Sequence, residues 1–312
     1  MSHPLAPYRP LALLLDDATR LCRDAGGDVA EYGHSEGGRP LIACRLPGTT
    51  TGGDDVRQVM ISANLHGPEY ISAEVALGAL ATASSGLLAD LRQEATVWVL
   101  PCLNPDGYAR TWDAEGQGAM AQLRTNDHGV DLNRNFPLPP GIEHSRLPGQ
   151  GSNRHGDATY RGTGPLSEAE ARHLAQFLDE NRMWASANGH SFMGTCIPPR
   201  VTDKHDVAAY KRLCRAFADG QDRHRYLRLA SVLFDGFTGE LEDFQHHKFG
   251  TWAITVESFP FWASVKQHLR APSLFWRFNP RDPAPWVAND VPGVVAFLRA
   301  ALAMDAPQQQ LG

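Results

Sequence analysis

Two histidines and two glutamates placed near strand ends are the residues of this sequence best suited to metal chemistry. His66 and Glu69, in His66-Gly67-Pro68-Glu69, follow an apolar run over residues 59–65 and precede a helical one. A nitrogen and an oxygen donor three residues apart can turn to one point and hold zinc, with a third ligand drawn from far along the chain. Alone the pattern is common, and its plain alternative is a surface histidine beside a helix-start glutamate. His190, in Asn188-Gly189-His190-Ser191, comes directly after a second strand-like run. Together the three would make a His₂Glu set with one coordination position open, the catalytic rather than the structural zinc pattern. Glu257, in Thr255-Val256-Glu257-Ser258, ends a third such run. An acid there is either exposed at a strand end or held in a cleft, and beside a metal-activated water it is a general base.

A second group lies in a loop-rich region: Asn104-Pro105-Asp106-Gly107-Tyr108, then Arg124-Thr125-Asn126, then Gly129-Val130-Asp131-Leu132-Asn133-Arg134-Asn135-Phe136. The first of these reads as a turn signal. The arginines are of more interest, because guanidinium forks bind carboxylates and an arginine beside a carbonyl can stabilise a developing oxyanion. A solvated structural arginine is the ordinary alternative at any one position.

The elements that must carry these residues alternate in kind. Helical spacing over residues 11–22 is followed by short strands over 41–46 and 59–65, a helix over 71–83 and a β-rich run over 96–100 that stops at Pro101. Ser167, with Glu170 three residues later, reads as a capping box before a helix reaching about Asn181. Strands over 183–188 and 252–256 and a helix over 291–304 complete the pattern. This rhythm predicts an α/β fold with a mixed, largely parallel sheet flanked by helices, and such sheets place their sites at the carboxyl ends of the strands. Between Arg110 and Pro165 periodicity gives way to Gly, Pro, Asn and Arg, which predicts a long loop region shaping a site. The expectation is a single domain over residues 1–306 with a flexible tail at 307–312; two domains joined in the loop region are the alternative.

Composition excludes several classes. With 312 residues, 42% hydrophobic and 21% charged, the chain has a core to bury. A net charge of −6 without a basic run argues against nucleic-acid or anionic-membrane partners. No apolar stretch is long enough for a membrane span, and no signal peptide is visible. Cys22, Cys44, Cys102, Cys196 and Cys214 are scattered and odd in number, which predicts reduced thiols in a cytoplasmic protein. No feature specifies an oligomeric state.

In their order along the chain, HxxE, NPDGY, RTN, GVDLNRNF, YRG with SEAE, GHS and TVES resemble the zinc metallocarboxypeptidases, the carboxypeptidase A-like family. The resemblance spans roughly residues 35–260, from the turn Ser35-Glu36-Gly37-Gly38-Arg39-Pro40 onward. It implies that His66, Glu69 and His190 bind one Zn²⁺ per chain and that Glu257 is the general base. Asp131 would orient the first zinc histidine, Arg124 would polarise the scissile carbonyl, and Asn133 with Arg134 would grip a terminal carboxylate. Such an enzyme removes the last residue of a peptide bearing a free C-terminal carboxylate. Three departures stand out. Pro68 replaces an arginine of the digestive members; residues 233–244 hold Phe234 and Phe237 but no tyrosine; and Glu242, before Asp243-Phe244, falls at the specificity pocket. An acid there would favour lysine, arginine or the amine of diaminopimelate. A γ-D-glutamyl-diaminopimelate bond is the first specific substrate this suggests, an ordinary peptide the second. Aspartoacylase-like zinc deacylases and a catalytically inactive binding relative are the competing readings.

Overall fold

Strands form here where β-branched and aromatic residues run together between turn signals. The computed structural model describes residues 3–49, 57–145, 150–228 and 236–308. Those residues form one eight-stranded sheet: β1 (Asp28–His34), β2 (Pro40–Leu46), β3 (Gln58–Ala63), β4 (Thr96–Leu100), β5 (Met183–Ser191), β6 (Thr195–Ile197), β7 (Leu227–Arg228) and β8 (Trp252–Ser258). Their spatial order is β1-β2-β4-β3-β5-β8-β6-β7. The central run β4-β3-β5-β8 is parallel throughout, and antiparallel pairings join β1 to β2, β2 to β4 and β8 to β6. The mixed, largely parallel α/β expectation is met.

Alternate residues of the central strands enter two cores. Val59 and Ile61 of β3, with Val97 and Val99 of β4, pack with Leu14, Phe217 and Phe297 from the helices Leu11–Asp24, Lys204–Gly220 and Ala284–Leu302. Met60, Trp98 and Leu100 point the other way, toward Leu174 and Phe244 of the helices Ala169–Glu180 and Leu241–Phe249. Because side chains alternate across a strand, the two cores lie on opposite faces of the sheet. Burial on both faces is why the central strands read as continuous apolar runs. β1, at the sheet edge and mostly exposed, has no such run and gave no signal.

Three local expectations are corrected. The helix after Ser167 starts at Ala169 with Glu168 as its N-cap; the Ser167 hydroxyl instead donates to Glu168 Oε1 at 2.7 Å, so no capping box forms. The last helix begins at Ala284 rather than at residue 291 and carries Pro292 inside it. Asn104-Pro105-Asp106-Gly107 starts a helix, Pro105–Asp113, instead of a turn: Asn104 Oδ1 accepts from the Gly107 N–H at 2.8 Å and Pro105 occupies the first turn, where its missing N–H costs nothing. The chain is held as far as Gln308, whose N–H donates to Asp206 Oδ1 at 3.0 Å; residues 309–312 of the expected tail lie outside the described residues. Among the described residues no helix is long and apolar enough to cross a membrane.

Asp106 ties two of the sequence motifs together. Its fully buried carboxylate accepts from the Ser35 hydroxyl at 2.8 Å, the Gly37 N–H at 2.8 Å and the Arg39 guanidinium at 2.7 Å. Truncation would leave those donors without their partner, a loss of about 3 kcal/mol. Asp106→Ala is therefore expected to lower the melting temperature by roughly 4–6 °C in a calorimetric scan. A change below about 2 °C would mean the turn at residues 35–40 is held by other contacts.

Candidate metal centre and active cleft

The chain leaves β3 through a tight turn. Asn64 adopts a left-handed backbone (φ 54°), which asparagine tolerates better than most residues, and its side-chain amide donates to the His66 carbonyl at 3.1 Å. Gly67 lets the turn sit against the Asn104 helix: a Cβ there would come within 2.3 Å of the Leu123 carbonyl oxygen and 2.6 Å of Gly107. Glu69 caps the helix Tyr70–Ala81, and the Ser72 hydroxyl fastens it by donating to the Glu69 carbonyl at 2.6 Å. His190 and Glu257 lie on neighbouring parallel strands as direct register partners, so their side chains share one face.

These placements bring three donors together. His66 Nδ1 lies 2.9 Å from Glu69 Oε1, and His190 Nδ1 lies 3.0 Å from Glu69 Oε2 and 3.1 Å from His66 Nδ1. All three residues are buried. Donors that share one ion at about 2 Å stand roughly 3 Å apart, so the spacing fits zinc. The chemistry fits as well. Asp131, as an ionised carboxylate, can only accept, and it faces His66 Nε2 at 3.2 Å; that edge therefore carries the proton and leaves the Nδ1 lone pair turned inward. Two imidazole nitrogens facing each other beside a carboxylate form an electron-rich cradle that a cation completes.

The charges around the cradle agree. Burial alone would raise the Glu69 carboxyl, but His66 and His190 outweigh it and hold it at about 2. Asp131 is likewise held well below the usual carboxylate range, burial being overcome by Arg124 and His66. Arg124 Nε donates to Asp131 Oδ2 at 2.9 Å, which fixes the guanidinium at the cleft wall. The Ser191 N–H adds a bond to Glu69 Oε2 at 3.1 Å, a contact no sequence pattern announced because it comes from the strand backbone.

A cleft of about 1190 Å³ opens over this cradle and contains every candidate metal, catalytic and substrate-binding residue of the sequence: His66, Glu69, Arg124, Asn133, Arg134, His190, Glu242 and Glu257 all line it, while Asp131 stands behind His66. Burial, and then the charge of Glu69, push the Glu257 carboxyl up to about 8. Arg134 Nη1 donates to Glu240 Oε1 at 2.9 Å, and Asn133 Oδ1 accepts from the Leu241 N–H at 2.9 Å. The one sequence signal of Glu240 is that it is a second acid two residues before Glu242. Glu242 is 3% exposed, and its Oε2 has no hydrogen-bond partner among the described residues. Burial, followed by the charges of Glu240 and Asp243, holds its carboxyl well above the usual range. Phe237 is buried against His247 outside the cleft, and Phe234 lies outside the described residues. Among the described residues Tyr226 is the one tyrosine lining the cleft, and its hydroxyl donates to Asp290 at 3.0 Å.

Residues 27–261 match the family model described as zinc carboxypeptidase. Carboxypeptidase E of Caenorhabditis elegans is 33% identical over 117 residues, covering 34% of this chain and 24% of that protein. Human carboxypeptidase O is 35% identical over 89 residues, covering 27% and 22% respectively. The chain thus spans about a quarter of the length of these curated relatives. Among solved structures, carboxypeptidase A from Helicoverpa armigera superposes with a TM-score of 0.76 at 20% identity, over 97% of this chain and 75% of that one. Bovine thrombin-activatable fibrinolysis inhibitor, in complex with tick carboxypeptidase inhibitor, gives 0.73 at 19% identity, over 94% and 97%. These likenesses show a shared fold.

Proposed function

The chain belongs to the zinc carboxypeptidase family, and from that premise we propose that it is a zinc-dependent exopeptidase releasing the last residue of peptides with a free C-terminal carboxylate. The observation that carries this reading is the convergence of His66, Glu69 and His190 in a cleft where Glu257 is the register partner of His190. Zinc, when bound there, polarises the scissile carbonyl and acidifies water. Glu257 takes the proton from the attacking water and returns it to the departing amine, so no covalent enzyme intermediate is needed. Arg124 has its Nε committed to Asp131 and its Nη1 4.0 Å from Glu69 Oε1, which holds the guanidinium beside the cradle, where it can meet the developing oxyanion. Asn133 and Arg134 receive the substrate carboxylate, with Glu240 steadying the guanidinium until it arrives.

Glu242 gives the specificity. A buried acid with an unpartnered oxygen is stabilised by an incoming ammonium or guanidinium, which favours lysine, arginine or the amine of diaminopimelate as the released residue. The five buried, unpaired cysteines support a reducing compartment, and we place the protein in the cytoplasm. A deacylase would share the cradle, but the family match over residues 27–261 favours peptides.

The test is metal analysis combined with a panel of peptides differing in their last residue, including a murein tripeptide. Free-carboxylate peptides should be cut and their amides at least about 100-fold more slowly, because the amide lacks the negative charge that Asn133 and Arg134 are proposed to receive. Lysine should exceed leucine at the terminus, and Glu242→Gln should reduce that preference about tenfold. Equal rates on acid and amide would overturn the terminal-carboxylate role, and turnover of N-acyl amino acids alone would favour the deacylase.

A further inference from the structure

Half of the most exposed large apolar side chains among the described residues stand around one opening. Trp262 is 84% exposed, Leu227 75% and Met193 48%, and all three line the cleft over the zinc cradle, whereas Leu13, Ile142 and Leu269 lie outside it. Single exposed apolar residues need no explanation, but a group at a cleft marks a binding surface. The group has a built support: Phe192, next to Met193, meets Phe261, next to Trp262, with ring centroids 6.3 Å apart, and Phe278 at 5.1 Å.

The lining of the same cleft also carries positive charge. Arg223 and Arg225 line it; Arg225 pairs with Asp219 at 3.4 Å, while the Arg223 guanidinium meets no acid among the described residues. The residues assigned to the last residue of the substrate approach from elsewhere. Asn133 and Glu242 belong to segments whose Leu132, Phe136, Leu241 and Phe244 pack in one core, whereas Tyr226, next to Arg225, packs in the core on the opposite face of the sheet. At about 1190 Å³ the cleft also exceeds the roughly 300–1,000 Å³ of a site for a small ligand, which leaves room for several residues.

We infer that Met193, Trp262, Leu227 and Arg223 form a subsite for the substrate chain upstream of the scissile bond, selecting an acidic side chain beside an apolar one. The inference rests on the exopeptidase reading and deepens it: the substrate is a peptide of several residues with an acidic and apolar upstream segment, rather than a dipeptide.

Two acetylated hexapeptides test it, both ending in Ala-Lys with an upstream Phe, one with Glu beside the Phe and the other with Lys. Each is turned over by the unmodified protein, Arg223→Glu and Trp262→Ala, and each is also titrated calorimetrically into zinc-loaded Glu257→Gln protein with and without Arg223→Glu. The Glu peptide should be preferred about five- to tenfold in kcat/KM, through KM, and in Kd; Arg223→Glu should remove or invert that ratio. Trp262→Ala should reduce the hexapeptide rate about tenfold more than the rate on acetyl-Ala-Lys. An unchanged Glu-to-Lys ratio in Arg223→Glu overturns the subsite. Selective binding without hydrolysis supports the subsite and overturns the exopeptidase; hydrolysis without selectivity does the reverse.

Discussion

Replacing Glu257 by glutamine should lower kcat about 10²- to 10⁴-fold while the protein still binds one zinc, as expected for loss of a positioned general base. The amide matches the carboxylate in shape but cannot accept the proton of the attacking water. Stability gives a second readout. Burial and the nearby Glu69 charge push the Glu257 carboxyl up to about 8, so the folded metal-free protein disfavours its ionised form. A neutral glutamine removes that burden, and the metal-free variant should melt no lower than the unmodified protein. Full activity in Glu257→Gln would remove the residue from the mechanism. Loss of zinc together with loss of rate would instead show that it supports the cradle.

Removal of the metal should abolish hydrolysis altogether, and one equivalent of zinc should restore it. Because zinc binds the folded cradle and not the dispersed ligands of the unfolded chain, it also stabilises the fold, by about 4 kcal/mol at a free concentration 1,000 times Kd. Dialysis against a chelator should therefore lower the melting temperature as well as the rate. His190→Ala should reproduce both effects without chelator. Asp131→Asn should weaken zinc binding about 10- to 100-fold, because the amide no longer fixes the Nε2 proton of His66 as an ionised carboxylate does. A chelated protein that keeps its rate would end the zinc reading, whatever its melting temperature.

Much of the cradle was legible before any coordinates. His66 and Glu69 follow a strand run and His190 and Glu257 sit at the end of one, runs whose apolar character comes from burial on both faces of the sheet, and that signal is local. Other features carry no local signal, for identifiable reasons. The edge strand β1 is too exposed to alternate clearly, and the helix Leu241–Phe249 is short, with buried charged residues where an amphipathic helix would show an apolar stripe. Ser167 and Glu170 have capping-box spacing, yet the Ser167 hydroxyl is drawn to Glu168 and Asn135. Tertiary partners overrode the local preference.

The sequence by itself determined the donor types, their nearness to strand ends and the helix that carries Glu69, because these depend on residue chemistry and on periodicities of a few residues. Only the tertiary structure decided that β5 lies between β3 and β8, which puts His190 against Glu69 and beside Glu257. It alone paired Arg134 with Glu240, hung the turn at residues 35–40 on Asp106 and gathered Trp262, Met193 and Arg223 at one opening. The physical reason is that contacts between residues separated by tens to more than a hundred positions depend on which strands pair and in what register, and burial of the whole sheet selects that arrangement rather than any local pattern.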